Sequence, residues 1–96
     1  GVYPNPIIAG ENLNINYADF SNENKEILIT VFDFTGKTIF SKIILQKENG
    51  TLTATDLSNK LTPGIYFITG TNGDNYLLKQ KLVVVENSGS NISAQR

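Results

Sequence analysis

The sequence predicts an all-β domain, an immunoglobulin-like antiparallel β-sandwich of about seven strands. Apolar residues alternate with period two along most of the chain, and no stretch sustains helical spacing. Turn-forming Gly, Pro, Asn and Asp recur at short intervals between these stretches, the rhythm of a small sandwich. The chain has 96 residues, 40% hydrophobic and 18% charged, which is enough for one globular core and too little for two.

Val2 to Ile8 is expected to form the edge of a seventh strand. Within it Pro4 and Pro6 hold the backbone extended and remove two donors, and Asn5 is placed to close an Asx turn. Residues 12–17 put Leu13, Ile15 and Tyr17 on one face and three asparagines on the other, a half-buried strand. Residues 27–33 are almost continuously apolar and β-branched, with Ile27, Ile29 and Val31 in phase, so they read as a central strand. Gly36 supplies the positive φ of a short hairpin loop, and residues 38–45 return as the partner strand. A turn is expected at residues 47–50 and a short strand at 51–55, with Leu52 and Ala54 inward. Asp56 follows as the cap of a turn or of one helical turn. Residues 64–69 form the next strand. Gly64 follows Pro63 and sets the chain's direction, and Tyr66 is placed to fold its hydroxyl back onto backbone a few residues upstream. Asn72-Gly73 marks a tight turn into a long last strand, residues 76–85. There Lys79, Lys81, Val83 and Val85 share one face and Leu78, Gln80, Leu82 and Val84 the other, which makes Leu82 and Val84 core.

Composition excludes several functions. The net charge is −1, eight basic against nine acidic residues, so no basic field exists to hold a phosphate backbone, and nucleic acid is not an expected partner. Without His or Cys the chain lacks the usual bases, thiol nucleophiles and sulfur-based zinc sites, and no catalytic residue, metal or cofactor is expected. Asp33, beside a hairpin, reads as a turn cap rather than a general acid. Residues 72–75 lack the spaced carboxylates and closing Glu of a calcium loop and read as a hairpin tip. The sequons at Asn49 and Asn91 are short enough to arise by chance. No apolar run approaches the ~20 residues of a membrane-spanning helix, and the start carries no signal-peptide pattern.

Four signatures in fixed order remain: Tyr3-Pro4-Asn5-Pro6, Asp33-Phe34-Thr35-Gly36-Lys37, Leu61-Thr62-Pro63-Gly64-Ile65-Tyr66-Phe67 and Lys81-Leu82-Val83-Val84. Together they resemble the type A C-terminal sorting domain of the type IX (Por) secretion system of Bacteroidetes. The resemblance implies a secretion signal that takes an N-terminal cargo domain of the same precursor through the periplasm and across the outer membrane, to the medium or the cell surface. It implies as partners the outer-membrane secretion machinery and a sortase-like peptidase that cleaves the domain off. Carried over by position, Gly36 and Lys37 match the family's hairpin, Gly64 to Tyr66 its Gly-Ile-Tyr strand, and Lys81, Leu82, Val83 and Val84 its closing strand, where partner recognition is expected. The lysines of that strand carry either of two meanings, a strip for a partner or protection of an exposed edge strand.

The domain is expected to span residues 1–85. Residues 86–96 read as a polar, disordered tail or an artificial extension, since family members usually end within a residue or two of the closing strand. The alternative function is an immunoglobulin- or fibronectin-like accessory module of an extracellular enzyme or adhesin, binding carbohydrate or spacing domains. Glycan binding needs aromatic rings on one exposed face, whereas the tyrosines and phenylalanines lie mostly at core-phase positions; Tyr17 and Tyr76 are the pair to inspect. A monomer is expected, with pairing through an open edge strand as the competing arrangement.

Overall fold

A computed structural model describes residues 1–16, 25–46, 49–57 and 60–86. Its strands are β1 (Val2–Tyr3), β2 (Ile7–Ile8), β3 (Leu13–Asn16), β4 (Lys25–Asp33), β5 (Thr38–Gln46), β6 (Asn49–Leu52), β7 (Gly64–Asn72) and β8 (Asn75–Val85), with one helical turn, α1 (Ala54–Leu57), between β6 and β7. They form a three-stranded sheet, β1-β3-β6, and a five-stranded sheet, β2-β8-β7-β4-β5. This is the all-β, two-sheet sandwich that the period-two pattern predicts, and the run β8-β7-β4-β5 has the strand order of one immunoglobulin sheet. Every pairing is antiparallel except that of β2 with β8, which is parallel.

Alternation builds the core. Leu13 and Ile15 of β3 and Leu52 of β6 face Ile27, Ile29 and Val31 of β4, Ile68 of β7 and Leu82 of β8, and all eight are fully buried. Each such side chain contributes about 1.5–3 kcal/mol of burial. β4 is the central strand that its composition predicts, paired on both sides, and it forms the expected hairpin with β5.

Four local readings are corrected. The Val2–Ile8 stretch is not one edge strand: Val2–Tyr3 joins the three-stranded sheet and Ile7–Ile8 the five-stranded one, with Pro4 to Pro6 bending between them. Val2 and Ile7 are both buried, so each half is drawn to its own sheet by one apolar anchor. The turn expected at residues 47–50 does not extend over Asn49 and Gly50, which pair with Asn16 and Ile15; Lys47, Glu48 and Tyr17 lie outside the described residues. The strand expected at residues 51–55 ends at Leu52. Thr53 opens a reciprocal cap instead: its Oγ1 accepts from Asp56 N (3.2 Å), and an Asp56 carboxylate oxygen accepts from Thr53 N (3.1 Å). Ala54 N donates to Asn12, Leu57 is buried, and Lys42 of β5 pairs with Asp56 at 2.8 Å. Asp56 is thus the third helical residue answering the cap, not the cap itself.

The fourth correction concerns phase. The register of β7 with β8 runs Gly70 to Leu78 and then Thr71 to Tyr76, leaving Leu77 as an extra residue. Such a bulge inverts the faces beyond it. A second one in β5 leaves Ile39 between Thr38, opposite Phe32, and Phe40, opposite Val31.

Candidate recognition surface

The closing strand divides as its alternation requires. Leu78, Leu82 and Val84 are buried, Lys79, Lys81 and Val85 are exposed, and Val83 is half-buried. Of the four closing-signature residues, Lys81 and Val83 face outward, while Leu82 and Val84 belong to the core.

The strand is not an open edge over this signature. The Asn5 side chain donates from Nδ2 to Lys81 O (2.8 Å) and accepts at Oδ1 from Val83 N (3.1 Å). One carboxamide thereby satisfies the two backbone groups that a neighbouring strand residue would take. β2 continues the cover beside Val84 and Val85, Ala9 N donates to Val85 O (2.9 Å), and Val2 N donates to the Gln80 side chain (3.2 Å). The edge-guarding role considered for the lysines is therefore filled by the N-terminal segment from Lys81 onward. Asn5 reaches across to β8 rather than closing the Asx turn expected of it.

The outward side of β8 continues across the sheet. Phe67 of β7 stands opposite both Lys81 and Phe32, Ile65 opposite Val83, and Thr69 between Thr30 and Lys79. The exposed large apolar side chains among the described residues gather here: Ile8, Val85, Ile65, Phe67, Tyr76, Leu28 and Ile43 share the outer face, and Phe34, at 76% exposure the most open, borders it on the hairpin. Tyr3 alone lies on the other sheet. The expectation that aromatic residues sit mostly in the core is overturned. Among the described residues only Tyr66 of the aromatics is buried, and Tyr76 points outward because the Leu77 bulge inverts its phase. Lys79 Nζ lies 5.2 Å from the Tyr76 ring centroid, a cation–π distance. Tyr17, the other ring weighed for glycan binding, lies outside the described residues.

The β4–β5 hairpin closes one end of this face. Asp33 organises it: one carboxylate oxygen accepts from Thr35 N (2.9 Å), Thr35 Oγ1 (2.6 Å) and Lys37 N (3.0 Å), while Asp33 N donates to Lys37 O (2.9 Å). Gly36, at φ 91°, makes the loop's left-handed turn, a conformation a Cβ disfavours. Gly36 shares an open hollow with Phe34, Phe67, Tyr76 and Lys79, so the hairpin meets the Lys79 part of the strip, and Lys81 borders it through Phe67. The Asn72 to Asn75 tip is a two-residue turn in which Asn72 Nδ2 donates to Glu26 O (2.9 Å).

The hydrogen bond from the Thr35 hydroxyl, then the backbone donors of Lys37 and Thr35, hold the Asp33 carboxyl below its ordinary 3.8 against an opposing desolvation. The Lys42 ammonium, then Thr53 N, does the same for Asp56. Both folded values are depressed, so their stabilisation is complete above 3.8 and is lost as pH falls through the lowered values. The denaturant midpoint of the wild-type domain is expected to fall below pH 3.8, and that of Asp33→Asn to fall less steeply. A carbon-13 titration placing the Asp33 midpoint at or above 3.8 contradicts this.

Tyr66 lies on the core side of the same corner. Its hydroxyl donates to Thr62 O (2.7 Å) and lies 3.3 Å from Thr62 Oγ1, beside exposed Pro63 and Gly64. The residues that sequence reasoning missed are Phe34 and Phe67. For Phe67 the signal was present: a core-facing Tyr66 leaves its strand neighbour outward.

No curated protein matches the chain. The secretion system C-terminal sorting domain family matches residues 1–85, the span that carries both sheets, the hairpin and the closing strand. The chain belongs to that family, and its domain is a C-terminal sorting signal for type IX secretion.

Proposed function

We propose that residues 1–85 are read as an address label on a cargo protein, and that the reading surface is the outward side of the closing strand, Lys81 and Val83, with the Gly36–Lys37 hairpin beside it. Family membership implies a cargo-bearing precursor handled by the type IX machinery and delivered to the cell surface or the medium; it does not favour the accessory-module reading. The finer steps belong to the proposal: a route through periplasm and outer membrane, action as a monomer, removal by a sortase-like peptidase, and a domain that is substrate rather than catalyst. Leu82 and Val84 serve by anchoring the strand, Asn5 between Pro4 and Pro6 by covering its edge, and Tyr66 with Gly64 by fixing the corner. What supports the reading is that one side of the family-matched closing strand is core while its lysine-bearing side is open to solvent.

The test fuses residues 1–85 behind a periplasmic reporter in a strain with a working type IX system. The reporter is expected to leave the cell. Lys81→Ala is expected to reduce export while moving stability by no more than about 0.5 kcal/mol, since the side chain is exposed. Retention of the folded wild-type fusion in the periplasm overturns the reading, and loss of folding in Lys81→Ala makes Lys81 structural.

A further inference from the structure

We propose that the outer face of β7–β8, with the hollow below Phe34, seats an apolar polypeptide segment flanked by carboxylates. The inference rests on reading this face as the one the export machinery meets, and it names the chemistry of what is met.

Two properties of the face select that occupant. The first is one-sided apolar exposure. In a two-sheet sandwich the outer faces are ordinarily polar. Here the five-stranded sheet presents Ile65 at 46%, Phe67 at 43% and Tyr76 at 63% exposure, whereas the three-stranded sheet exposes Tyr3 alone among its described large apolar residues. A contiguous apolar patch edged by polar groups marks an interaction surface. Aromatic anchors in a hollow are the side chains on which binding energy concentrates.

The second is an unbalanced charge. Lys79 and Lys81 both project from this face, and neither β7 nor β8 contains an Asp or Glu; the outward carboxylate of β4, Glu26, lies at the other end of the face, beside Leu28, Ile43 and Thr71. The hairpin's own acid, Asp33, is engaged by Thr35 and Lys37. The ion pair found among the described residues is Lys42–Asp56, on the other side of the sheet. Lysines that pair with no carboxylate among the described residues, beside an apolar strip, complement a segment whose apolar side chains lie between acidic ones, which sets specificity and encounter rate. A glycan fits less well. Sugar platforms pair rings with hydrogen-bonding side chains, and Thr69, the polar residue nearest the middle of this strip, is 9% exposed.

The test titrates the nitrogen-15-labelled chain with the peptide Glu-Glu-Phe-Leu-Glu-Glu and, separately, with Lys-Lys-Phe-Leu-Lys-Lys, following amide shifts. The acidic peptide is expected to shift the amides of Phe34, Gly36, Phe67, Tyr76 and Lys79 and to bind about tenfold more tightly than the basic one, with the preference shrinking as salt rises. Lys79→Gln with Lys81→Gln is expected to abolish the preference, and Lys79→Arg with Lys81→Arg to keep it. Phe67→Ser is expected to weaken both peptides. Equal binding of the two peptides, shifts elsewhere on the domain, or tighter binding of dextran sulfate at the same amides overturns the proposal, the last in favour of an anionic polysaccharide. The address-label reading fails separately, when the folded wild-type fusion is not exported, whatever the peptides do.

Discussion

Replacing Leu82 by Ala is expected to cost about 2–5 kcal/mol, read as a fall in denaturant midpoint with an unchanged slope. Leu82 is fully buried on the inner face of β8, opposite Tyr66 in register, and packs in the cluster that joins the two sheets. Truncation removes its burial and leaves a cavity that β8, held to β7 at this position and to the Asn5 side chain on its other edge, cannot collapse to fill. A small domain has a total stability of about 5–15 kcal/mol, so the loss takes a large share of it. Export of the fused reporter is expected to fail together with folding. That failure differs in kind from the one expected of Lys81→Ala, although the residues are adjacent in one signature. The alternation of β8 places one against the core and the other against solvent. Leu82→Met keeps the volume and is expected to cost less than about 1.5 kcal/mol. Normal export of Leu82→Met assigns Leu82 to the scaffold; a stable, folded Leu82→Met that is retained shows that the side chain itself is read.

Sequence order made the sandwich legible wherever strict alternation held. Ile27, Ile29 and Val31 announce a core-facing strand, and Lys79 through Val84 divide into faces as their spacing requires. It failed where one residue interrupts the count or a side chain reaches far along the chain. Leu77 is ordinary in sequence, yet as the unmatched residue of a bulge it turns Tyr76 from core phase to the outer face. Asn5 promises only a local turn, because nothing in residues 3–6 signals a bond to β8, 76 positions onward. Thr53 and Asp56 do form a readable capping pair. It lost to the apparent alternation of Leu52 and Ala54, whose continuation is refused once Leu57 enters the core from one helical turn. The candidate surface was half visible for the same reason: Lys81 and Phe67 follow from phase alone, whereas Tyr76 depends on the bulge and Phe34 on the hairpin's fold.

Gly70 makes the tightest demand on side-chain size at this register change, and Gly70→Val is expected to destabilise the domain by about 1–3 kcal/mol through overpacking. The residue is buried on the inner face of β7, opposite Ile29 on β4 and Leu78 on β8. A Cβ there would stand 3.2 Å from Ile29 Cδ1, 3.3 Å from Ile27 Cγ2 and 3.3 Å from Leu78 Cβ, closer than ordinary van der Waals contact. The isoleucine methyls can give by rotating, but Leu78 Cβ is fixed to the β8 backbone, so relief has to come from strand separation beside the bulge. Gly70→Ala needs shifts of a few tenths of an ångström and is expected to cost less than Gly70→Val, which adds two further methyls to the same space. The strain falls where Thr71 pairs with Tyr76, so the variant is expected to loosen the outer face from the inside. Faster hydrogen exchange at Thr71, Tyr76 and Leu78, with Leu13 and Ile15 in the other sheet little changed, is the pattern that checks it. A Gly70→Val domain as stable as the wild type means that β7 and β8 lie farther apart at Gly70 than these distances state.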